Sequence, residues 1–342
     1  MPLTAQNQRT EWIDCARGIG ILLVVLGHGV YGQLRGIVFS FHMPLFFILS
    51  GMTYRLSAEG RQLGKRCKQA LFKLILPAVV LYSLDVGLHV LNQILRMGFR
   101  PTGKFWLSRL LTLLFSSGAV SGARFPIHSI PIDRMGIPWF LIVLAVGRTL
   151  LDLLHLKTRK GFVPICIVLS ISGVVIGQYC WLPLSFDVAL ASLLFLLIGW
   201  GLRSFDFQKR SAIRFLVACA LWVGTFSLLE PLGLKYMEMS SRRYPLYPLC
   251  LMTAVAGTVV VAYVSVFISK FLGWLKGPLM YIGEHSMVML CVHTLDFLWE
   301  DLYLQTGSHT LIQALMRIAL DLVVFLMAIV IKNLIVKRRV TL

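Results

Sequence analysis

The sequence is poor in charged residues, and acidic residues are the scarcest of them. Only 14% of its 342 residues are charged and only 15 are Asp or Glu, whereas 57% are apolar. Soluble globular chains typically contain about 25% charged and about 45–50% apolar residues. The shortage of charge excludes a soluble enzyme of one or two domains, and the apolar excess excludes a disordered chain.

The patterns of several familiar catalytic and metal sites are also missing. There is no G-x-S-x-G nucleophile elbow, no H-E-x-x-H pair, and no C-x-x-C pair among the seven cysteines. These patterns are typical of α/β-hydrolases, zinc proteases, and metal or redox sites respectively. Most of the cysteines lie within apolar runs, where a thiol behaves as a small hydrophobic group. We therefore interpret the cysteines as structural and predict no metal site.

Apolar runs long enough to cross a bilayer dominate the chain. A membrane-spanning helix needs about 20 mainly apolar residues. Ten segments meet this condition: 17–36, 38–56, 73–95, 137–155, 162–180, 184–203, 212–232, 246–269, 278–298 and 311–336. Residues 105–117 are apolar but too short to span, which predicts an interfacial or re-entrant helix. We predict an all-α polytopic membrane protein that forms a single domain over 1–342.

The basic residues follow the predicted topology. The net charge is +18, with 33 Lys and Arg, and in a soluble protein such a surplus suggests nucleic-acid binding. With a cytoplasmic N-terminus, 21 of the 33 basic residues fall on inner segments, as the positive-inside rule expects. Both termini are therefore predicted to be cytoplasmic, and nucleic acid is not an expected partner.

The first span begins with Arg17 and carries His28 further along. Their separation of eleven residues is close to three helical turns, so both lie on one face, with a rise of about 16 Å between them. Such groups are costly inside a membrane and often mark functional sites. The alternative is a snorkelling arginine and a hydrogen-bonded structural histidine. His42, near the outer end of the second span, can approach His28 or face water at the interface.

Three further groups of polar or aromatic residues are candidates. A basic cluster at the cytoplasmic end of the third span suits phosphate binding, although anionic lipid alone would explain it; it consists of Lys65, Arg66, Lys68 and Lys73. His293 and Asp296 share one helix face and can form either a base with its orienting carboxylate or an ordinary interface pair. Trp139 suits an aromatic-belt anchor or a surface on which a sugar stacks.

Taken together, these elements resemble the membrane acyltransferase-3 family, in its fucose 4-O-acetylase-like branch. The resemblance covers the whole chain and is carried by R-x10-H at Arg17 and His28, F-H-M-P-L-F-F-I-L-S-G, the basic stretch ending in L-P, P-W-F-L, and I-G-x-x-S-x(6)-H. Two departures stand out. Some branches have Trp-Ser-Leu-x-x-Glu, whereas Trp139 is followed here by Phe140 and Leu141 and no Glu stands at the matching position. The paired arginines of the inner loop are replaced by a mixture of Lys and Arg.

The resemblance implies a multi-pass protein of the bacterial inner membrane that transfers an acetyl group from cytoplasmic acetyl-CoA to a hydroxyl of a cell-surface or lipid-linked carbohydrate. On this view acetyl-CoA is a substrate, no cofactor is permanently bound, and the partners are acetyl-CoA, the carbohydrate acceptor and membrane lipid. The acceptor sugar, the hydroxyl position and the acyl chain are left open. The alternative is a transporter or flippase of a lipid-linked sugar that uses the same polar residues as a pathway.

The resemblance matches Arg17, His28 and Lys73 to family positions, and the chemistry of the residues suggests a role for each candidate. His28 would be the general base or, alternatively, a transient acyl carrier, with Arg17 beside it in catalysis. Coenzyme A would be held by Arg17, Lys65, Arg66, Lys68 and Lys73. The acceptor side would be lined by His42, Trp139, His293 and Asp296.

Overall fold

The computed structural model describes residues 5–120, 132–209, 211–232, 236–304 and 311–340, and these residues are almost entirely helical. The first eight α-helices are α1 Ala5–Gly29, α2 Gly32–Phe39, α3 His42–Thr53, α4 Gly60–Ala70, α5 Leu76–Met97, α6 Gly103–Phe115, α7 Trp139–Thr158 and α8 Phe162–Tyr179. The others are α9 Phe186–Leu202, α10 Ala212–Leu229, α11 Leu249–Phe271, α12 Gly273–Glu284, α13 Ser286–Thr294, α14 Glu300–Leu304 and α15 Leu311–Val340.

Nine helical segments among the described residues are long and apolar enough to cross a membrane. They are Glu11–Gly29, Gly32–Thr53, Gly60–Met97, Trp139–Thr158, Phe162–Tyr179, Pro183–Leu202, Ala212–Leu229, Leu249–Phe271 and Leu311–Ile335. The predicted all-α polytopic class is confirmed. The helix predicted over the short apolar segment 105–117 is present as α6.

The predicted span 278–298 differs from the expectation of one continuous helix. It is divided into α12 and α13 at His285, whose φ of −103° and ψ of 20° depart from helical values. A short 3-10 turn at Asp296–Leu298 follows α13. Apolar composition alone does not reveal such a break, because both halves remain apolar. The break matters because His293 and Asp296 lie on the second half.

The described chain divides into two compact units, each made of separate stretches of sequence. The first unit comprises residues 1–46, 206–236 and 246–342, which contain α1, α2, the start of α3 and α10–α15. The second comprises residues 47–205 and 237–245, which contain the rest of α3 and α4–α9.

In the first unit, α1 and α12 touch backbone to backbone. A Cβ atom at Gly18 would overlap the carbonyl oxygen of Leu279, and a Cβ at Gly283 would overlap the carbonyl of Asp14. Small residues allow this close approach, which is a common device for packing helices in membranes. The contact fixes the position of α1, the helix that carries both Arg17 and His28.

In the second unit, α4 and α5 are joined by a π-helical segment, Leu71–Ile75. Pro77 lacks the N–H that would bond the carbonyl of Lys73, and its ring crowds that carbonyl. The wider π-turn accommodates this conflict without ending the helix. The joined segment Gly60–Met97 has 38 residues, or about 57 Å, which exceeds the about 30 Å of membrane hydrocarbon. One end of this long helix, α4 on the predicted topology, therefore extends beyond the hydrocarbon.

Candidate active site

The centre of the first unit holds a buried histidine between two carboxylates. His293 on α13 is 1% exposed, and its Nδ1 lies 2.9 Å from Asp296 Oδ2 and 3.2 Å from Asp321 Oδ2. Asp321 is fully buried on α15. A carboxylate accepts only, so the proton shared in these contacts belongs to Nδ1, and the lone pair is left on Nε2. His293 Nε2 is buried and has no hydrogen-bond partner among the described residues.

Each carboxylate has a second donor. The guanidinium of Arg317 lies 2.5 Å from Asp296 Oδ2, and its Nε donates to the same oxygen at 2.6 Å. The indole of Trp299 donates to Asp321 Oδ1 at 3.0 Å. Arg317 and Asp321 are four residues apart on α15, so they share one face of that helix. We call these five residues, His293, Asp296, Trp299, Arg317 and Asp321, the His293 cluster.

His28 lies directly beside this cluster. The His28 and His293 ring centroids are 5.2 Å apart, with the rings nearly perpendicular. The side chain of His28 is exposed, whereas that of His293 is buried. His28 Nδ1 lies 2.8 Å from the carbonyl oxygen of Val24; because a carbonyl only accepts, Nδ1 carries the proton and Nε2 the lone pair. An accessible imidazole nitrogen with a free lone pair is suited to general-base chemistry.

Three helices bring these groups together. Helices α1, α13 and α15 contact one another, and a side chain at Gly29 would crowd Ala314 of α15. The site is thus built from residues 28 to 321, which are far apart in sequence. Periodicity places His28, His293 and Asp321 on their helices, but only the packing of the three helices makes them neighbours.

His42 is buried and packs against Phe39. Its ring centroid lies 4.5 Å from that of Phe39, which in turn lies 5.6 Å from that of His28. Tyr236 contacts the other side of this group, 5.2 Å from Phe39. His42 is therefore in the second layer around His28, with an aromatic ring touching both, and it does not face water as the interfacial alternative required.

The His293 cluster also has the composition of a metal site. The ligand atoms of His293, Asp296 and Asp321 lie within 4.8 Å of one another. A metal ion there would have to share Asp296 Oδ2 with the guanidinium of Arg317, which already bonds that oxygen through two nitrogens. Two cations on one carboxylate oxygen repel each other. The donors present fit a proton-bearing cluster better than a metal centre.

Arg17 lies on α1 with His28, as predicted, but it has a partner that the sequence analysis missed. Its Nη1 lies 2.8 Å from Asp14 Oδ1, three residues earlier on the same helix. The side chain is 30% exposed, so it is accessible from the predicted cytoplasmic side. A role in coenzyme A binding stays a prediction.

The four residues of the predicted basic cluster, in the second unit, have different surroundings. Lys65, Lys68 and Lys73 are exposed. Arg66 instead turns towards Asp152, with its Nη1 3.3 Å from Oδ1 of that fully buried carboxylate. The same carboxylate accepts from the Tyr54 hydroxyl at 2.5 Å and the Ser57 backbone N–H at 2.7 Å. Arg66 thus helps to hold α4 on α7, and the three lysines are the free phosphate-binding candidates.

Trp139 begins α7 in the second unit, whereas the histidines lie in the first. Its side chain is 6% exposed. A Cβ on Gly118 would come within 2.7 Å of the indole, so the ring is packed on that glycine. A role of Trp139 in binding the acceptor stays a prediction.

The fold defines a polytopic membrane protein, and two neighbouring histidines lie at its candidate site. A family model described as an acyltransferase domain matches residues 10–336. The chain therefore belongs to the acyltransferase-3 family and is a membrane acyltransferase. No curated protein matches the sequence, and no solved structure matches the fold.

Of the residues gathered here, His28, His293 and Asp296 were candidates from the sequence, whereas Arg317, Asp321 and Trp299 were not. A usable signal was present, because Arg317 and Asp321 are the two charged residues in the apolar core of the last span. Ionisable residues within a span are functional candidates by default. Their four-residue spacing would also have placed them on one face.

Proposed function

We propose that this protein is a transmembrane O-acetyltransferase, which moves an acetyl group from cytoplasmic acetyl-CoA to a hydroxyl of a cell-surface or lipid-linked carbohydrate. The observation that carries the proposal is the accessible Nε2 of His28, beside a carboxylate-held histidine, in a member of an acyltransferase family. The family also favours group transfer over the flippase alternative. The bacterial inner membrane is the proposed location, and the fucose 4-O-acetylase-like branch is the proposed relationship.

His28 acts as the general base in this proposal. Its Nε2 takes the proton from the acceptor hydroxyl while the oxygen attacks the thioester carbonyl of acetyl-CoA. The tetrahedral intermediate then collapses, the carbon–sulfur bond breaks, and the coenzyme A thiolate leaves. The proton from the hydroxyl finally passes to the thiolate sulfur, so the products are the O-acetyl ester and coenzyme A.

The donor is proposed to approach from the predicted cytoplasmic side. The helix α4 has no buried residue and carries exposed Lys65 and Lys68. Coenzyme A has a 3′-phosphate and a pyrophosphate, which such cations attract. Lys73, on the π-turn, and Arg17, on α1, complete the proposed donor-side cations.

Deletion of the gene followed by NMR of the surface glycans tests the proposal. We expect one O-acetyl signal to disappear and to return when the wild-type protein is supplied. Unchanged glycan acetylation, with the protein present in the parent strain, would contradict the proposed activity.

Binding of acetyl-CoA is expected to raise the apparent Tm of the purified protein in detergent. A ligand that binds only the folded state at 100 times its Kd adds about 2.7 kcal/mol of stability. Replacing Lys65 and Lys68 together by glutamine should reduce this ligand-induced shift without lowering the Tm of the free protein, because both side chains are exposed. Thermal denaturation with and without acetyl-CoA measures both effects.

Arg243→Gln provides a matched control for the lysine pair. Arg243 is an exposed cation on a predicted outer segment, where it pairs with Glu238. Its loss should leave the acetyl-CoA shift unchanged. An equal loss of the shift in Arg243→Gln would mean that general charge, rather than α4, attracts the donor.

A further inference from the structure

Two imidazoles with the same tautomer meet at the site. His28 Nδ1 is held by a backbone carbonyl, and His293 Nδ1 by two carboxylates. Each ring therefore keeps its lone pair on Nε2. The buried Nε2 of His293 has no hydrogen-bond partner among the described residues, which is a costly arrangement unless the atom has a use. The neighbouring ring, 5.2 Å away between centroids, is that of His28.

The surroundings of His293 carry one surplus negative charge. Asp296 and Asp321 supply two, and Arg317 neutralises one of them. A second proton on His293 would cancel the surplus and turn a neutral imidazole into an imidazolium paired with both carboxylates. His28 has no carboxylate partner among the described residues, since its Nδ1 meets only the Val24 carbonyl.

We propose that His293 is a proton relay for His28 and that Asp321 is the residue that positions it. His28 Nε2 removes the proton from the acceptor hydroxyl and passes it to His293 Nε2, where Asp296 and Asp321 stabilise the resulting imidazolium. The proton returns through His28 to the thiolate sulfur of coenzyme A, and both imidazoles end neutral. This proposal rests on the proposed acetyl transfer.

The first test compares Asp321→Asn with Asp321→Glu in membranes supplied with labelled acetyl-CoA, with the glycan of those membranes as acceptor. Asp321→Asn removes the charge that stabilises the imidazolium, so we expect kcat to fall about 10²-fold, at the lower end of general acid–base contributions. The KM for acetyl-CoA should stay unchanged. Asp321→Glu should recover part of kcat. A rise in KM with kcat unchanged would overturn the relay.

A double variant separates relay from structural support. In a His28→Ala background there is no proton to pass on, so adding Asp321→Asn should cost little further activity. A structural role would lower the residual rate by the same factor in both backgrounds, and that outcome would overturn the proposal. His293→Gln should behave like Asp321→Asn in both backgrounds, and it provides a second variant if Asp321→Asn does not fold.

Trp299→Phe is the matched control. It removes the indole that donates to Asp321 Oδ1 but leaves the charge and the contact of Oδ2 with His293. We expect a smaller fall in kcat than for Asp321→Asn, since one hydrogen bond to Oδ1 is lost while the negative charge is kept. A loss as large as that of Asp321→Asn would show that cluster packing, and not its charge, sets the rate.

A readout that needs no acceptor distinguishes failure of the relay from failure of the proposed function. Solid-state NMR of the ¹⁵N-histidine-labelled full-length protein in lipid should show His293 protonated at Nδ1, and the signal should change in Asp321→Asn. If this holds but wild-type membranes transfer no acetyl group, the proposed function has failed. If acetyl transfer holds but resting His293 carries a proton on Nε2, alone or together with Nδ1, the relay alone is overturned.

Discussion

His28→Ala is expected to slow O-acetylation of the glycan by about 10²- to 10⁴-fold, the range typical of a lost general base. The side chain is exposed, so its removal leaves no large cavity, and the backbone carbonyl of Val24 that it contacts already belongs to the helix. The protein should therefore fold and reach the membrane normally. Labelled acetyl transfer in membranes, normalised to the amount of protein, measures the effect.

His285→Ala is the matched control for this experiment. His285 Nδ1 also contacts the backbone carbonyl four residues earlier, that of Tyr281 at 3.0 Å. It lies at the break between α12 and α13, outside the His293 cluster. Its loss is expected to change the rate less than tenfold. Full activity of His28→Ala at normal protein level would contradict the central assignment, whichever way the control behaves.

Much of the fold follows from local sequence. Membrane helices are specified by runs of about 20 apolar residues, and such runs correctly indicate the helical class and nine of the spanning segments. The break at His285 and the π-turn before Pro77 are harder to predict from the sequence. Of these two, the π-turn has a local cause, because proline removes one hydrogen bond, whereas the break follows Gly283, which packs on the backbone of α1.

The sequence predicts the contacts of the candidate site that lie within one helix, but not those between helices. Helical spacing pairs residues three or four apart, so the link between His293 and Asp296 is visible in the sequence. Contacts between helices are not visible in the sequence. Asp321 contacts His293 although 28 residues separate them, and Asp152 contacts Arg66 across 86 residues. Charged residues in apolar spans can be recognised as candidates, but their partners are decided by the packing of small residues such as Gly18.

Residues far apart in sequence also form a buried ion pair in the second unit. Arg242 and Asp187 are 1% and 0% exposed, and their side chains lie 2.8 Å apart. Arg242 also donates to Ser185 Oγ at 2.9 Å, and its guanidinium carbon lies 4.0 Å from the ring centroid of Trp181. These contacts fasten residues 237–245 to the start of α9. Burying both charges costs desolvation free energy, which their mutual attraction offsets. Removing one partner therefore leaves the other charge buried without compensation.

Asp187→Asn is therefore expected to destabilise the protein by about 3–5 kcal/mol, the usual penalty for leaving one partner of a buried pair alone. The change keeps the shape of the side chain, so the loss reports on charge. Thermal denaturation in detergent measures it. Glu238→Gln is the control, because its partner Arg243 is 55% exposed and an exposed pair is worth at most about 1 kcal/mol. Equal destabilisation by both substitutions would mean that the burial of Arg242 does not set the stability of this segment.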